Sequence, residues 1–133
     1  MSHEADIFFS KAEESLAGAE SEFANGRFNN CANRSYYSCF QAAVAGLLRE
    51  GVRPADLRQQ WGHAYVQSQF VGQLINRRKR FPAELRDVLA RCLILRQTAD
   101  YAPDDVTETR AARTLQRARA FVEALSVEGG DQR

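Results

Sequence analysis

The sequence predicts an all-α protein, folded as an up-and-down antiparallel helical bundle of about five helices. Apolar residues recur at spacings of three and four along most of the chain, as they do on the buried face of a helix. Eight glycines and three prolines in 133 residues are few for a protein with many sheet turns or long loops. A chain of this length buries a core as one domain, so we expect a single domain over residues 1–127 and a flexible tail over 128–133.

The first two helices are predicted from their apolar patterns and from the signals that end them. Residues from about 4 to 24 place one apolar stripe on a helix, formed by Phe8, Ala12, Leu16, Ala19 and Phe23. Asn25-Gly26 supplies a left-handed stop, and a second helix then runs from about Phe28 to Glu50, where Gly51 closes it. Apolar or small residues cover nearly its whole circumference, so we expect other helices to pack on several of its sides.

A third helix is predicted from about Gly62 to Arg77. Its apolar face is formed by Tyr65, Phe70, Val71 and Leu74. The basic run Arg77–Arg80 follows, and cations suit the negative end of a helix dipole. We therefore expect the helix to end in this run, before Phe81-Pro82 breaks the chain.

Two further helices follow in the predicted order. The fourth begins at about Pro82, because proline is favoured in a first helical turn, and it continues past Arg96. A turn over 102–105 separates it from the fifth helix. The residues that could cap the fifth helix are Asp104, Asp105 and Thr107.

The charge of the chain limits the partners that it can bind. Eighteen Lys and Arg against seventeen Asp and Glu give a formal net charge of +1 at pH 7. A protein with so little net charge has no overall basic field to attract nucleic acid. We therefore expect any contact with RNA to be local.

Cysteines and histidines give no sign of a metal centre or a cofactor. Cys31, Cys39 and Cys92 are an odd number without CxxC spacing, so we expect buried reduced thiols, no metal and no cofactor. The first residues form neither a cationic leader nor an apolar signal, and no apolar run reaches the roughly 18 residues that span a bilayer. We expect a cytoplasmic protein without membrane contact.

Two segments set charge beside aromatic rings: Arg34-Ser-Tyr-Tyr-Ser-Cys-Phe40 and Arg96-Gln-Thr-Ala-Asp-Tyr101. Arg34 lies in the most buried helix, where a cation requires a carboxylate, a ligand or an opening to water. Tyr37 is three residues away and shares its face, whereas Tyr36 is expected to point elsewhere. Asp100 follows Arg96 by four residues, a spacing at which the two side chains can pair.

Two interpretations of these segments remain open. In the first, Arg34, Arg96 and Asp100 form an internal polar network that joins the second and fourth helices. In the second, the same network also lines a groove for RNA or a nucleotide, because arginine binds phosphate and tyrosine stacks on bases. The binding residues are then Arg34, Tyr37, Asp100 and Tyr101.

His63 is the candidate for proton transfer, since the other histidine, His3, lies at the terminus. A histidine near arginines could cleave RNA by general acid/base chemistry, with Arg96 as its partner. A helix cap or a packed ring is the structural alternative. Arg58 precedes His63 by five positions, but such a match is expected by chance in a chain with sixteen arginines and receives little weight.

Taken in order, these motifs resemble the small prokaryotic HEPN-domain proteins over about residues 8 to 125. The matching features are the run 32–43 around Arg34, then His63, then Leu95–Tyr101. The resemblance implies a HEPN-like bundle, commonly a homodimer, often encoded beside a minimal nucleotidyltransferase as half of a toxin and antitoxin pair. Many such proteins are metal-independent ribonucleases that carry arginine followed four to six residues later by histidine. Here Tyr101 stands five positions after Arg96, and no histidine follows it.

Three functions are consistent with these features of the sequence. The first is an RNA- or nucleotide-binding component of a toxin-antitoxin type system, acting with a minimal nucleotidyltransferase partner. The second is a metal-independent endoribonuclease, a toxin that uses His63 with Arg34 or Arg96. The third is a non-catalytic helical dimerisation scaffold, in which the polar network has a structural role alone.

Overall fold

A computed structural model describes residues 3–54 and 60–126, and all regular structure in those two ranges is helical. The five α-helices are α1 His3–Ala24, α2 Phe28–Arg49, α3 His63–Gln69, α4 Val88–Tyr101 and α5 Glu108–Leu125. A wider π-helical segment, Phe70–Arg77, continues α3, and one 3-10 turn, Ala83–Leu85, precedes α4. The all-α helical bundle predicted from the sequence is confirmed.

Glycines end the first two helices at the predicted places. Gly26 has a φ of +75° and Gly51 a φ of +79°, a backbone region that only glycine enters without strain. The backbone N–H of Gly26 donates to Phe23 at 3.0 Å, and that of Gly51 donates to Leu48 at 3.0 Å. These turns give the carbonyls at the helix ends partners, and the turn at Gly26 lets α2 pack back against α1.

Helix α2 is the centre of the bundle, and α1, α4 and α5 all pack against it. Its small residues permit this close packing. A Cβ atom added at Gly46 would lie 2.7 Å from Cδ1 of Leu125 and 3.3 Å from Cδ1 of Leu74. The expectation that several helices surround α2 is therefore confirmed, and the most buried part of the core lies along its second half.

The third helix is regular over half of its predicted length. After Gln69 the backbone widens into the π-helical segment, which buries Phe70, Leu74 and Ile75 together. Because a π turn holds an extra residue, it changes which side chains face the core beyond this point. The prediction of one α-helix up to Arg77 is wrong in this respect.

The fourth helix begins six residues later than predicted, at Val88 instead of Pro82. Pro82 has a ψ of 156°, so its backbone is extended and it does not enter a helical turn. Its carbonyl accepts from the N–H of Leu85 at 3.1 Å and forms the 3-10 turn. Proline restricts φ alone, and both extended and helical ψ values remain open to it.

Thr107 caps α5, where its hydroxyl accepts from the backbone N–H of Arg110 at 3.2 Å. Cys31, Cys39 and Cys92 are buried free thiols. Within the described ranges, no helix is long and apolar enough to cross a membrane. The predicted tail over 128–133 and Arg58 lie outside the described residues.

Candidate functional site

Side chains from α2, α3 and α4 meet in a group that we call the polar cluster. Its members are Asn33, Arg34, Tyr36, Tyr37, His63, Arg96 and Asp100. His63 is the first residue of α3, and the other members come from the first half of α2 and the second half of α4. The cluster reaches the surface, because His63 and Asp100 are exposed. The fold thus brings the two segments that set charge beside aromatic rings, 34–40 and 96–101, close together, and it places His63 next to both.

Arg96 lies at the centre of the polar cluster, held between aromatic rings. Its guanidinium carbon is 5.3 Å from the ring centre of Tyr37 and 5.9 Å from that of Tyr36. Its Nε lies 3.1 Å from Oδ2 of Asp100, close enough for an ion pair, and the side chain of Arg96 is 17% exposed. The Nε–H is buried, however, and has no aligned hydrogen-bond acceptor among the described residues.

Asn33 connects the two arginines, and reasoning from the sequence did not include it. Its Nδ2 donates to the two carboxylate oxygens of Asp100 at 3.3 and 3.4 Å. Its Oδ1 accepts from Nε of Arg34 at 3.2 Å and from Nη2 of Arg34 at 2.8 Å. The chain of contacts from Arg34 to Asp100 and Arg96 therefore passes through an amide that can donate and accept at once. The available signal was spacing, since Asn33 precedes Tyr37 by one helical turn.

Tyr37 lies between the two cations. The guanidinium carbon of Arg34 is 5.1 Å from its ring centre, and that of Arg96 is 5.3 Å away. The prediction that Arg34 and Tyr37 share a helix face is confirmed. Each cation is attracted to the electron-rich ring face, which offsets part of the cost of keeping two like charges in one place.

Tyr36 also belongs to the polar cluster, although the sequence predicted that it would point elsewhere. Its ring centre is 5.3 Å from that of Tyr37 and 5.3 Å from that of His63. Its hydroxyl forms a short hydrogen bond with Nδ1 of His63. The prediction was wrong because two large rings one residue apart on a helix can still touch, and those of Tyr36 and Tyr37 meet edge to face at an angle of 69°.

His63 is held by aromatic rings and by Tyr36. The ring centre of Phe40 lies 5.2 Å from that of His63, and that of Tyr37 lies 6.4 Å away. Loss of hydration and the nearby positive charge of Arg96 lower the pKa of His63 below its usual value of 6.5. His63 is therefore neutral at pH 7.

The hydrogen bond from Tyr36 determines which nitrogen of His63 carries the proton. Burial raises the pKa of the Tyr36 phenol, so it keeps its proton at neutral pH. Its side chain is 2% exposed, and its hydroxyl has no other hydrogen-bond acceptor among the described residues. The O–H therefore donates to Nδ1, which leaves the proton of the neutral imidazole on Nε2. In this state Nε2 is a donor and not a base.

Two predicted site residues stand apart from the centre of the polar cluster. Tyr101 is 77% exposed and, in the part of the chain that the structure describes, makes no ring contact or hydrogen bond with its side chain. Asp100 lies at the rim, where it holds Asn33 and Arg96. The described residues also contain no group of three or more His, Cys, Asp and Glu that could hold a metal ion.

Comparison with known protein families shows to which family this chain belongs. The sequence model of the HEPN domain matches residues 5–128, which is nearly the whole chain. The chain belongs to the HEPN domain family. A protein from Methanocaldococcus jannaschii, named "Putative toxin MJ0605", is 27% identical to this chain over 117 residues, which cover 86% of this chain and 80% of that protein.

Membership of the HEPN family agrees with the order of motifs in the sequence, in which Arg34, His63 and Arg96 follow one another. In this chain these residues are far apart in sequence, and the fold brings them together beside the first half of α2. The spacing of arginine and histidine that the resemblance associates with ribonucleases is absent after Arg96. In this HEPN protein the fold instead brings His63 to the same tyrosines as Arg96.

Proposed function

We propose that this HEPN protein binds RNA or a nucleotide through the polar cluster, as the toxin-like component of a two-part system. One observation carries the proposal: Arg96 is nearly enclosed, yet its buried Nε–H has no aligned acceptor among the described residues. A buried N–H without an aligned acceptor is costly, and the Asp100 carboxylate, although 3.1 Å from Nε, does not align with it. A phosphate group offers acceptors in the geometry that arginine matches best.

The other members of the polar cluster support a role in binding. Arg34 supplies a second positive charge beside Tyr37, and Asn33 fixes its direction. The Nε2–H of His63 is a neutral donor that can reach a phosphate oxygen without acting as a base. Tyr101 offers an exposed ring at the end of α4, on which a base can stack.

The partner is proposed from the family and from the relative. The name of the M. jannaschii protein describes it as a putative toxin. In a toxin and antitoxin pair, the toxin acts with a protein that restrains it. We assign a minimal nucleotidyltransferase to that role here, because small HEPN proteins resembling this chain are often encoded beside one. In the proposed assembly this chain forms a homodimer, and the assembly is located in the cytoplasm.

Binding is tested with Arg96→Ala, measured against adenosine monophosphate and a short single-stranded RNA. We expect at least a tenfold loss of affinity for both, corresponding to about 1.5 to 3 kcal/mol for hydrogen bonds to a charged group. Arg119→Ala is the control, because it removes the same side chain from an exposed position outside the polar cluster, where it pairs with Glu20 at 2.7 Å. Unchanged affinity in Arg96→Ala would remove the proposal.

A second candidate is metal-independent RNA cleavage by His63. It is favoured by one observation, the position of His63 and Arg96 against the same ring of Tyr37. Purified protein is incubated with transfer and messenger RNA beside His63→Ala. Cleavage by the wild type that disappears in His63→Ala would establish this function, and identical RNA in both samples would exclude it.

A further inference from the structure

A second group of arginines lies on the other side of α4, in a groove between α4 and α5. The groove has a volume of about 280 Å³. Arg91 and Ile94 of α4 line one wall, and Arg110, Arg113 and Arg117 of α5 line the other. We call this surface the arginine groove. It is separate from the polar cluster, because Arg96 turns from α4 towards the tyrosines of α2.

None of the residues that line the arginine groove is a carboxylate. Asp87 lies beside it, and Arg91 and then Arg117 lower the pKa of this carboxyl. Arg91 pairs with Asp87 at 2.9 Å, but both side chains are 57% exposed, so this pair is weak. Within residues 3–54 and 60–126, Arg110, Arg113 and Arg117 form no ion pair. On the same helix, by contrast, Arg119 lies 2.7 Å from Glu20.

The spacing of the three unpaired arginines concentrates their charge. Positions 110, 113 and 117 are three and four residues apart, so all three project from one face of α5. They extend over about 10 Å of helix at roughly 1.5 Å per residue. Like charges at these spacings repel one another. In a chain whose net charge is +1, such a cluster is a local feature that favours an anionic ligand.

The ligand must carry several negative charges in a row. A phosphodiester strand does so, and each exposed arginine can neutralise one phosphate group. A second copy of the chain, placed on this groove about a two-fold axis, would set arginine against arginine and is disfavoured. We propose that the arginine groove binds the phosphate backbone of a single-stranded nucleic acid. The proposal rests on the proposed function for the choice of RNA, and it adds a second contact for the strand.

The test measures how the affinity for a short single-stranded RNA depends on salt. Each phosphate contact on a single strand contributes about 0.7 to the slope of log affinity against log salt. Arg113→Gln/Arg117→Gln is therefore expected to reduce the slope by about 1.4 between roughly 50 and 200 mM salt. The matched control is Arg27→Gln/Arg119→Gln, which removes two exposed arginines that pair with Glu22 and Glu20. The control is expected to keep the wild-type slope.

The outcomes separate this inference from the function of the polar cluster. An unchanged slope in the groove variant, or an equal reduction in the control, would overturn the inference. A wild type that binds no RNA at all would also overturn it. Affinity for adenosine monophosphate is measured in parallel and should be the same in the groove variant, since one phosphate at the polar cluster needs no groove. A groove variant that keeps its RNA slope but loses a complex with an acidic protein would assign the surface to that protein instead.

Discussion

The two sides of α4 use arginine in opposite ways. On the side that faces α2, Arg96 is 17% exposed and lies against two tyrosine rings, with Asp100 as its counter-charge. On the side that faces α5, the arginine groove holds exposed guanidinium groups, three of which form no ion pair within the described ranges. The first arrangement fixes the direction of each N–H, and the second supplies charge alone.

The two sides of α4 are therefore expected to have different roles in binding: the polar cluster selects the ligand, and the arginine groove attracts it by charge. A guanidinium held by rings and by a carboxylate loses little further freedom when it binds a phosphate, so geometry determines what it accepts. Exposed arginines must be ordered by the ligand, and salt screens them. The polar cluster is therefore expected to distinguish between ligands, and the arginine groove is expected to hold any phosphodiester strand.

The largest expected effect comes from exchanging arginine for lysine on each side. Arg96→Lys keeps the positive charge but loses the planar fork, so affinity for adenosine monophosphate should fall about tenfold, or roughly 1.4 kcal/mol. Arg117→Lys keeps all that the arginine groove supplies, so affinity for single-stranded RNA and its salt slope should stay within about twofold. Titration calorimetry and fluorescence anisotropy measure the two affinities. Equal losses on both sides would abolish the distinction between them.

Asn33→Ala tests whether the direction of Arg34 matters. The substitution removes the bonds from Asn33 to Asp100 and to Arg34, and we expect affinity for the nucleotide to fall about fivefold, near 1 kcal/mol. Asn30→Ala is the matched control, because Asn30 is an exposed residue of the same helix whose amide bonds to Glu22 at 3.0 Å. If the two variants bind alike, the amide of Asn33 does not orient the cluster.

Tyr36→Phe removes the hydroxyl that determines the tautomer of His63. The loss of this buried hydrogen bond should reduce the free energy of unfolding by about 1 kcal/mol, as measured in urea. The nitrogen resonances of His63 should also change, because Nδ1 no longer accepts a hydrogen bond from the Tyr36 hydroxyl. Tyr65→Phe provides the comparison, since its hydroxyl donates to the carbonyl of Arg53 at 2.6 Å, away from the cluster. Identical His63 spectra in wild type and Tyr36→Phe would show that the tautomer has another cause.

The smallest effect is the pH dependence of stability. Burial and Arg96 lower the pKa of His63 below 6.5 in the folded state, so the unfolded chain takes up the proton first as the pH falls. The free energy of unfolding should therefore decrease from about pH 6.5 downwards, until the pH reaches the folded-state pKa. Chemical denaturation of wild type and His63→Gln at several pH values measures the difference. A wild type that becomes more stable than His63→Gln on acidification would contradict the sign.

The fold was largely predictable from local signals, and the site was predictable only in part. Gly26 and Gly51 ended their helices as expected because a positive φ is a property of the residue and its neighbours alone. The start of α4 was predicted wrongly at Pro82, because proline restricts φ while the surrounding chain determines ψ. The pairing of Tyr36 with His63 depends on how α3 packs against α2, and no spacing in the sequence carries that information.

The central claim is that the guanidinium of Arg96 binds phosphate. The direct measurement is the side-chain Nε–H resonance of Arg96 during titration with adenosine monophosphate, with the resonance of Arg119, which pairs with Glu20 outside both sites, as the internal control. We predict that the Arg96 signal shifts and exchanges more slowly with water as the nucleotide saturates, while the Arg119 signal stays where it is. An Arg96 signal that remains unchanged at saturation would show that the nucleotide binds elsewhere, and the account of the polar cluster would be wrong.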